Sequence, residues 1–195
     1  MSALSILFAT AEMAPWVKTG GLGDVAAALP AALRKAGHDI RVLLPAYPAL
    51  KTAFPETELV ASLPALAPGL PACRLLSAKA SGLPLLLLDC PAFFQRTGTA
   101  YLDADGIDFT DNHLRFGLLS KTAALLSSAA SPLRWRPDVL HCNDWPCGMA
   151  PAYLHFMDGA KAATVMSIHN LAFQGIFPAD TLIPLGLPPE AYAMD

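Results

Sequence analysis

The stretch Lys18–Asp24, KTGGLGD, preceded by the apolar run Leu4–Phe8, decides how this chain folds. An apolar run reached almost at the first residue and followed by Gly20, Gly21 and Gly23 reads as a buried strand that ends in a loop approaching a ligand closely. Helical spacing then takes over. Asp24 stands where an N-cap would, Val25, Ala28, Leu29, Ala32, Leu33 and Ala36 form a stripe, and Gly37 sits at the left-handed stop. A helix N-terminus preceded by bare amides offers N–H groups and a positive dipole end to an anion, and Lys18 adds a full charge beside them. The expected guest is a phosphate against Lys18, Gly20 and Gly21; the competing reading is a tight turn with no ligand. Gly21, Gly23 and Ala26 also fit G-x-G-x-x-A, the dinucleotide fingerprint. That pattern wants its first glycine directly after the strand, whereas about a dozen residues, Pro15 and Trp16 among them, separate Phe8 from Gly21. A loop of that length reaches over a cleft and delivers Lys18 to a ligand.

Working outward, 195 residues at 54% hydrophobic content suit one domain, or one with a small extension, around a sizeable core. Thirteen Lys and Arg against sixteen Asp and Glu leave a net charge of −3, with no basic stripe for nucleic acid and no basic amphipathic helix for a membrane. The N-terminal run lacks a basic flank and is too short for a signal peptide, and Leu83–Leu88 is too short to span a bilayer, so a cytoplasmic location is expected. Cys73, Cys90, Cys142 and Cys147 form neither C-x-x-C pairs nor metal spacing and read as small core hydrophobes.

Ile40–Leu44 is a second continuous apolar run, the pattern of a strand covered on both faces, so strand, helix, strand is already set. Tyr47–Pro71 is proline-rich and aperiodic: loop, with at most one short strand near Glu58–Ser62. Arg74–Ala80 and Leu83–Asp89 flank Ser81-Gly82 as a hairpin inserted into the parallel scheme. Irregular chain from Cys90 to Thr110 precedes a long helix capped by Asp111 and ending before Pro132. Asp138–Cys142 is the next strand, opening into Asn143, Asp144 and Trp145 before a helix from about Gly148 to Met157. Thr164–Ile168 follows, opening into His169, Asn170 and a loop with Gln174 and Gly175. The expected fold is α/β: a Rossmann-like, mostly parallel sheet with helices on both faces and an inserted hairpin.

In open parallel sheets the ligand crevice lies outside the carboxyl ends of the strands, where Lys18, Asp144 and His169 would all project. Each has a second reading. Asp144 could cap the helix that follows, and His169-Asn170 could form a turn bonded to its own backbone. His141, inside its strand, reads as a hydrogen-bonded core residue. Glu12 either pairs with Lys18 or faces water. No serine nucleophile elbow, Walker lysine or H-E-x-x-H occurs, which removes support for hydrolase, P-loop and zincin chemistry.

Glu12-Met13-Ala14-Pro15 leading into KTGGLGD, Thr110–Phe116 (TDNHLRF), Trp135–Trp145 (WRPDVLHCNDW) and Ser167–Gly175 (SIHNLAFQG) together resemble the bacterial glycogen synthase and plant starch synthase family. The resemblance runs from about residue 5 to the end. It implies a GT-B architecture of two Rossmann-like domains, with residues 1–195 as the N-terminal, acceptor-side domain and the nucleotide-holding second domain lying outside this sequence. It implies transfer of glucose from ADP-glucose to the non-reducing end of an α-1,4-glucan with retention, with ADP-glucose and glucan as partners and neither metal nor cofactor. It carries the family's ADP-glucose contact to Lys18, the pocket histidine to His169 and the cleft aspartate to Asp144. The expected site is thus His169 and Asp144 as catalytic residues, with Lys18, Gly20, Gly21, Glu12, Asp24, Asn170 and Gln174 against substrate. Pro146 departs from the family pattern, which commonly has histidine there. A chain lacking half of the cleft is expected to have little activity alone. Two alternatives stay open: a free-standing nucleotide-binding domain with Asp39 on a ribose, and a non-catalytic glucan-binding remnant.

Overall fold

A computed structural model describes residues 2–192. Its seven strands are β1 (Ser5–Ala9), β2 (Asp39–Pro45), β3 (Glu58–Leu63), β4 (Cys73–Ala80), β5 (Leu83–Asp89), β6 (Val139–Asn143) and β7 (Ala163–Ser167), in one sheet of order β3-β4-β5-β2-β1-β6-β7. The five strands from β5 to β7 are mutually parallel, while β4 runs antiparallel to β3 and β5. The continuous apolar runs are the covered strands: Leu7, Phe8, Val42, Leu43, Leu44 and Leu87 have no exposed surface. Each such side chain removed from water contributes roughly 1.5–3 kcal/mol. At the far edge β7 is the exception, with Val165 46% and Met166 41% exposed.

The expected hairpin is present. Ser81 (φ +49°) and Gly82 (φ +84°) both adopt left-handed backbone, the two-residue turn whose twist matches paired strands. Helix α1 (Gly21–Lys35) follows β1 but begins earlier than the sequence suggests. Gly20 is its N-cap, without a side-chain bond, and Asp24 lies in the first turn rather than capping it. Its buried face is Leu22, Gly23, Ala26 and Pro30, while Ala28, Ala32 and Ala36 of the expected stripe are exposed. An alanine-rich helix has no single face that pattern alone can choose, because alanine gains little from burial. The stop is as read: Gly37 (φ +98°) donates to the Arg34 carbonyl at 3.0 Å and His38 to Leu33 at 3.2 Å.

Two short helices stand where loop was expected, α2 (Pro48–Ala53) and α3 (Pro91–Phe94); both open on proline, which presets the first helical φ, and neither is long enough to show a period. α4 (Asn112–Leu126) is buried on most sides. Asp111 occupies its N-cap position without bonding the helix, its carboxylate taking Arg96 at 2.8 and 2.6 Å instead. A 3-10 turn (Trp145–Cys147) separates β6 from α5 (Ala150–Phe156), and α6 (Leu182–Leu185) lies beyond β7, before a last 3-10 turn (Pro189–Ala191). From β1 to β2 the chain moves one way along the sheet, and from β5 through β6 to β7 the other way. Right-handed crossovers therefore put α1 on one face and α4 and α5, which pack together, on the opposite face. Among the described residues no helix is long and apolar enough to cross a membrane.

At the end of β5, the buried Asp89 carboxylate receives Lys51 of α2 at 2.9 Å and Arg74 of β4, tying the hairpin to the parallel core. Burial by itself raises the Asp89 pKa; the bonds and charges of Lys51 and Arg74 outweigh it and hold the carboxyl below its ordinary value. A depressed folded pKa contributes stability that is present above the unfolded value, about 4, and is lost as pH falls through the folded one. Urea midpoints of wild type and Asp89→Asn should therefore differ most near neutrality and converge as pH drops below about 4. A gap that stays constant down to strong acid would refute this role.

Candidate active site

Strand order reverses between β1 and β6, so the loops leaving their carboxyl ends part and open a crevice. β6 ends in Asn143, fully buried, whose amide group donates to the Ala9 carbonyl at 3.0 Å and the His141 carbonyl at 3.3 Å. Those two bonds fix the amide's orientation and turn Oδ1 toward His169, whose Nε2 lies 3.1 Å away. An amide oxygen only accepts, so His169 carries a proton on Nε2 and donates it to Asn143. Asp144 has φ +54° and ψ 177°, a conformation an aspartate adopts only at a cost of about 1–3 kcal/mol. Its N–H donates to Ser167 at 2.9 Å and its Oδ1 accepts the His169 N–H at 2.7 Å. The capping reading of Asp144 fails, since its side chain bonds no helix amide. Asp144 and His169 instead form one unit with Asn143, strung across the tips of β6 and β7.

His141 behaves as a structural residue: Nε2 meets the Ser167 hydroxyl at 2.7 Å and the ring packs edge-on against Phe8. Burial, and then the nearby His169, hold its pKa below the ordinary value. All four cysteines are buried and unpaired, with Cys73 and Cys142 pushed up to about 12 by burial.

The loop after β1 differs from its expected arrangement. Lys18 Nζ bonds Asp24 at 2.8 Å, with about half of each side chain exposed. Neither reading of Glu12 holds. It is 3% exposed and bonds no lysine; Oε2 accepts the Thr19 N–H at 2.7 Å and the Gly20 N–H at 3.4 Å, and Oε1 accepts the Thr19 hydroxyl at 2.6 Å and the Tyr101 hydroxyl at 2.8 Å. The Gly20 amide expected to face a phosphate is therefore turned inward to Glu12. Gly21 opens α1, whose first turn has no side-chain cap.

Two clefts result. Trp16, Lys18, Thr19, Tyr47 and the segment Arg96–Ala100 line the first, of about 430 Å³. Asp144, Trp145, Met149, Met166, Phe173, Gln174 and Phe177 line the second, of about 410 Å³. Tyr101 follows the segment that lines the first cleft, with its hydroxyl on Glu12 and its ring 6.1 Å from that of Trp145, which lines the second. Gln174 donates to the Leu171 carbonyl at 3.1 Å, and Asn170 accepts the Ala172 N–H at 3.0 Å, so both support their own loop. Gly175 (φ +61°) lies against Trp145, where an added Cβ would sit 2.3 Å from the indole; the loop can close there only as glycine. Pro146 is buried, and its carbonyl accepts the Ser120 hydroxyl at 3.1 Å.

The sequence reading missed Asn143, Tyr101 and Arg96 as members of this region. Only Asn143 left a signal, a polar residue closing an apolar strand; the other two lie in chain without pattern. Asp39 opens β2 at the amino edge and accepts the Trp135 indole N–H at 2.7 Å, so it cannot reach a ribose held at the carboxyl edge. The dinucleotide alternative loses its acid.

The profile of the starch synthase catalytic domain matches residues 5–195. The chain is 66% identical over its whole length to a glycogen synthase of Dechloromonas aromatica, covering 40% of that protein. It is 57% identical over 189 residues to a glycogen synthase of Aromatoleum aromaticum, covering 38% of it. Among solved structures, the catalytic domain of starch synthase IV from Arabidopsis thaliana bound to ADP and acarbose superposes with a TM-score of 0.76 at 28% identity, over 97% of this chain and 38% of that one. The chain thus spans about 40% of the length of the curated relatives it matches. With its profile matched from residue 5 onward and its motifs gathered at one sheet edge, the chain belongs to the starch synthase catalytic domain family, with the bacterial glycogen synthases among its relatives.

Proposed function

We propose that this chain is the N-terminal, acceptor-side domain of a GT-B glucosyltransferase that moves glucose from ADP-glucose to the non-reducing end of an α-1,4-glucan, with retention and without a metal. The observation that carries the reading is that the Lys18 loop, leaving β1, and the Asn143–Asp144–His169 unit, leaving β6 and β7, follow the carboxyl ends of parallel strands on either side of the β1/β6 switch point, in a chain matched along its whole length to glycogen synthases. The ADP and acarbose in the starch synthase IV structure, a nucleoside diphosphate and an oligosaccharide analogue, support the partner classes.

Departure of a nucleoside diphosphate builds negative charge on its outer phosphate. A positioned ammonium and uncapped helix amides stabilise that charge more in the transition state than in the ground state. Lys18 and the first turn of α1 fit this task, with Asp24 holding the ammonium until the diphosphate competes for it. Asp144 and His169 are braced against each other and against Asn143, which suits them to hold sugar hydroxyls rather than to attack carbon. The second cleft, walled by Trp145, Phe173 and Phe177, offers apolar faces to glucose rings. The test is incubation of the full-length protein with ADP-glucose and a maltooligosaccharide. Chain extension by α-1,4-linked glucose is expected, slower with UDP-glucose and unaffected by a chelator. Absence of extension with every nucleotide sugar tried would sink the proposal.

A further inference from the structure

We infer that Glu12 is a positioning residue that sets where Lys18 stands without touching substrate itself; the inference rests on the reading of Lys18 as the diphosphate contact. Glu12 is buried, yet none of its four partners is a cation: two are backbone amides and two are hydroxyls, all donating to it. Such a group is an acceptor fully used by the protein, with no lone pair left aimed at a ligand. Its own backbone is fixed as well, the Glu12 N–H meeting the Thr10 hydroxyl at 3.3 Å and the Glu12 carbonyl accepting that hydroxyl at 2.9 Å, on a Thr10 with no exposed surface. Glu12 is therefore a post rooted at the tip of β1.

The post holds two things. Through Oε2 it pins Thr19 and Gly20, the residues between Lys18 and the start of α1. Lys18 is braced on its other side by the Met13–Val17 bridge, whose two N–H···O bonds are 2.9 and 3.0 Å long, and the Ala14 N–H reaches Gly23 at 3.0 Å. The backbone of Lys18 is thus clamped from both directions, and only its side chain is free to move between Asp24 and a ligand. Through Oε1 the same carboxylate holds Tyr101, 89 residues away, whose ring lies 6.1 Å from that of Trp145. Placement of the loop that carries Lys18 and placement of Tyr101 share one anchor.

Steady-state kinetics of the full-length protein test this with Glu12→Ala, Glu12→Gln, Lys18→Ala and the Glu12→Ala/Lys18→Ala double variant. Misplacing a reacting group by about 1 Å costs on the order of 10²-fold, so Glu12→Ala should lower kcat/KM for the nucleotide sugar by about that factor. Glu12→Gln keeps an oxygen for the amides, and both hydroxyls can turn to accept, so it should recover to within about fivefold of wild type. In the Lys18→Ala background the Glu12→Ala penalty should shrink to about threefold or less, since the group it positions is gone. A full, additive penalty there would assign Glu12 a structural role and overturn the inference. A silent Lys18→Ala beside a damaged Glu12→Ala would overturn both this inference and the reading of Lys18, whereas additivity leaves that reading standing. Should Glu12→Ala fail to accumulate, Thr19→Val, which removes one hydroxyl bond, carries the same cycle: a loss of about threefold that vanishes without Lys18 supports the inference, and one that persists overturns it.

Discussion

Replacing Arg115 with leucine should lower the thermal midpoint by on the order of 10 °C, the largest stability effect of any substitution considered. Arg115 is 1% exposed, and burial lowers its pKa from the ordinary value without a carboxylate in contact to offset the loss of water. It is held instead by the Phe93 carbonyl at 2.8 Å, the Ala100 carbonyl at 3.0 Å and the Asn112 side-chain oxygen, with the Phe109 ring 4.4 Å away and Phe94 and Phe116 near. Leucine matches part of the volume but leaves those acceptors unpaired, a loss of about 3–5 kcal/mol on the scale of broken buried charged networks. Lysine keeps the charge but not the planar fork and should fall between the two. Because Phe93 precedes and Ala100 ends the segment that lines the first cleft and leads to Tyr101, the leucine variant should also lose affinity for ligands of that cleft. Calorimetry with circular dichroism at matched pH checks the first claim; a midpoint within about 2 °C of wild type would remove Arg115 from the core's essential bonds.

The second large effect concerns chemistry. On the proposed transfer of glucose from a nucleotide sugar, Lys18→Ala in the full-length protein should lower the rate by about 10²–10³, the usual cost of deleting one fixed donor at a developing negative charge. The fold should be untouched, because the Lys18 side chain is half exposed and its one ion pair, with Asp24, is solvated and contributes little to stability. The loss should appear in kcat and in the KM for the nucleotide sugar, leaving the KM for the glucan near wild type. An unchanged kcat, or a loss confined to the glucan KM, would take Lys18 away from the diphosphate.

Much of this arrangement could be read in the chain itself. The buried strands announce themselves as unbroken apolar runs, since a strand covered on both faces has no polar side to alternate with. Ser81-Gly82 and Gly37 stand where backbone must turn left-handed, a local requirement with a local solution. Asp144 and His169 could be placed at one edge because both follow strands of the same direction. Other features left little trace. Asp24 and Asp111 are both well chosen for capping, yet one turns to Lys18 and the other to Arg96, because a nearby cation outbids a helix amide for a carboxylate.

The amino-acid sequence by itself determined the strand runs, the hairpin, the carboxyl-edge placement of Lys18, Asp144 and His169, and the family, since each depends on residues close together in the chain. Tertiary structure alone decided that Glu12 turns inward to Tyr101, that Asn143 sets the His169 proton, that Arg115 binds the cleft loop from within and that Asp39 lies on the wrong edge for a ribose. Those are pairings between groups tens of residues apart, and a hydrogen bond over that separation is chosen by packing, which no local pattern records.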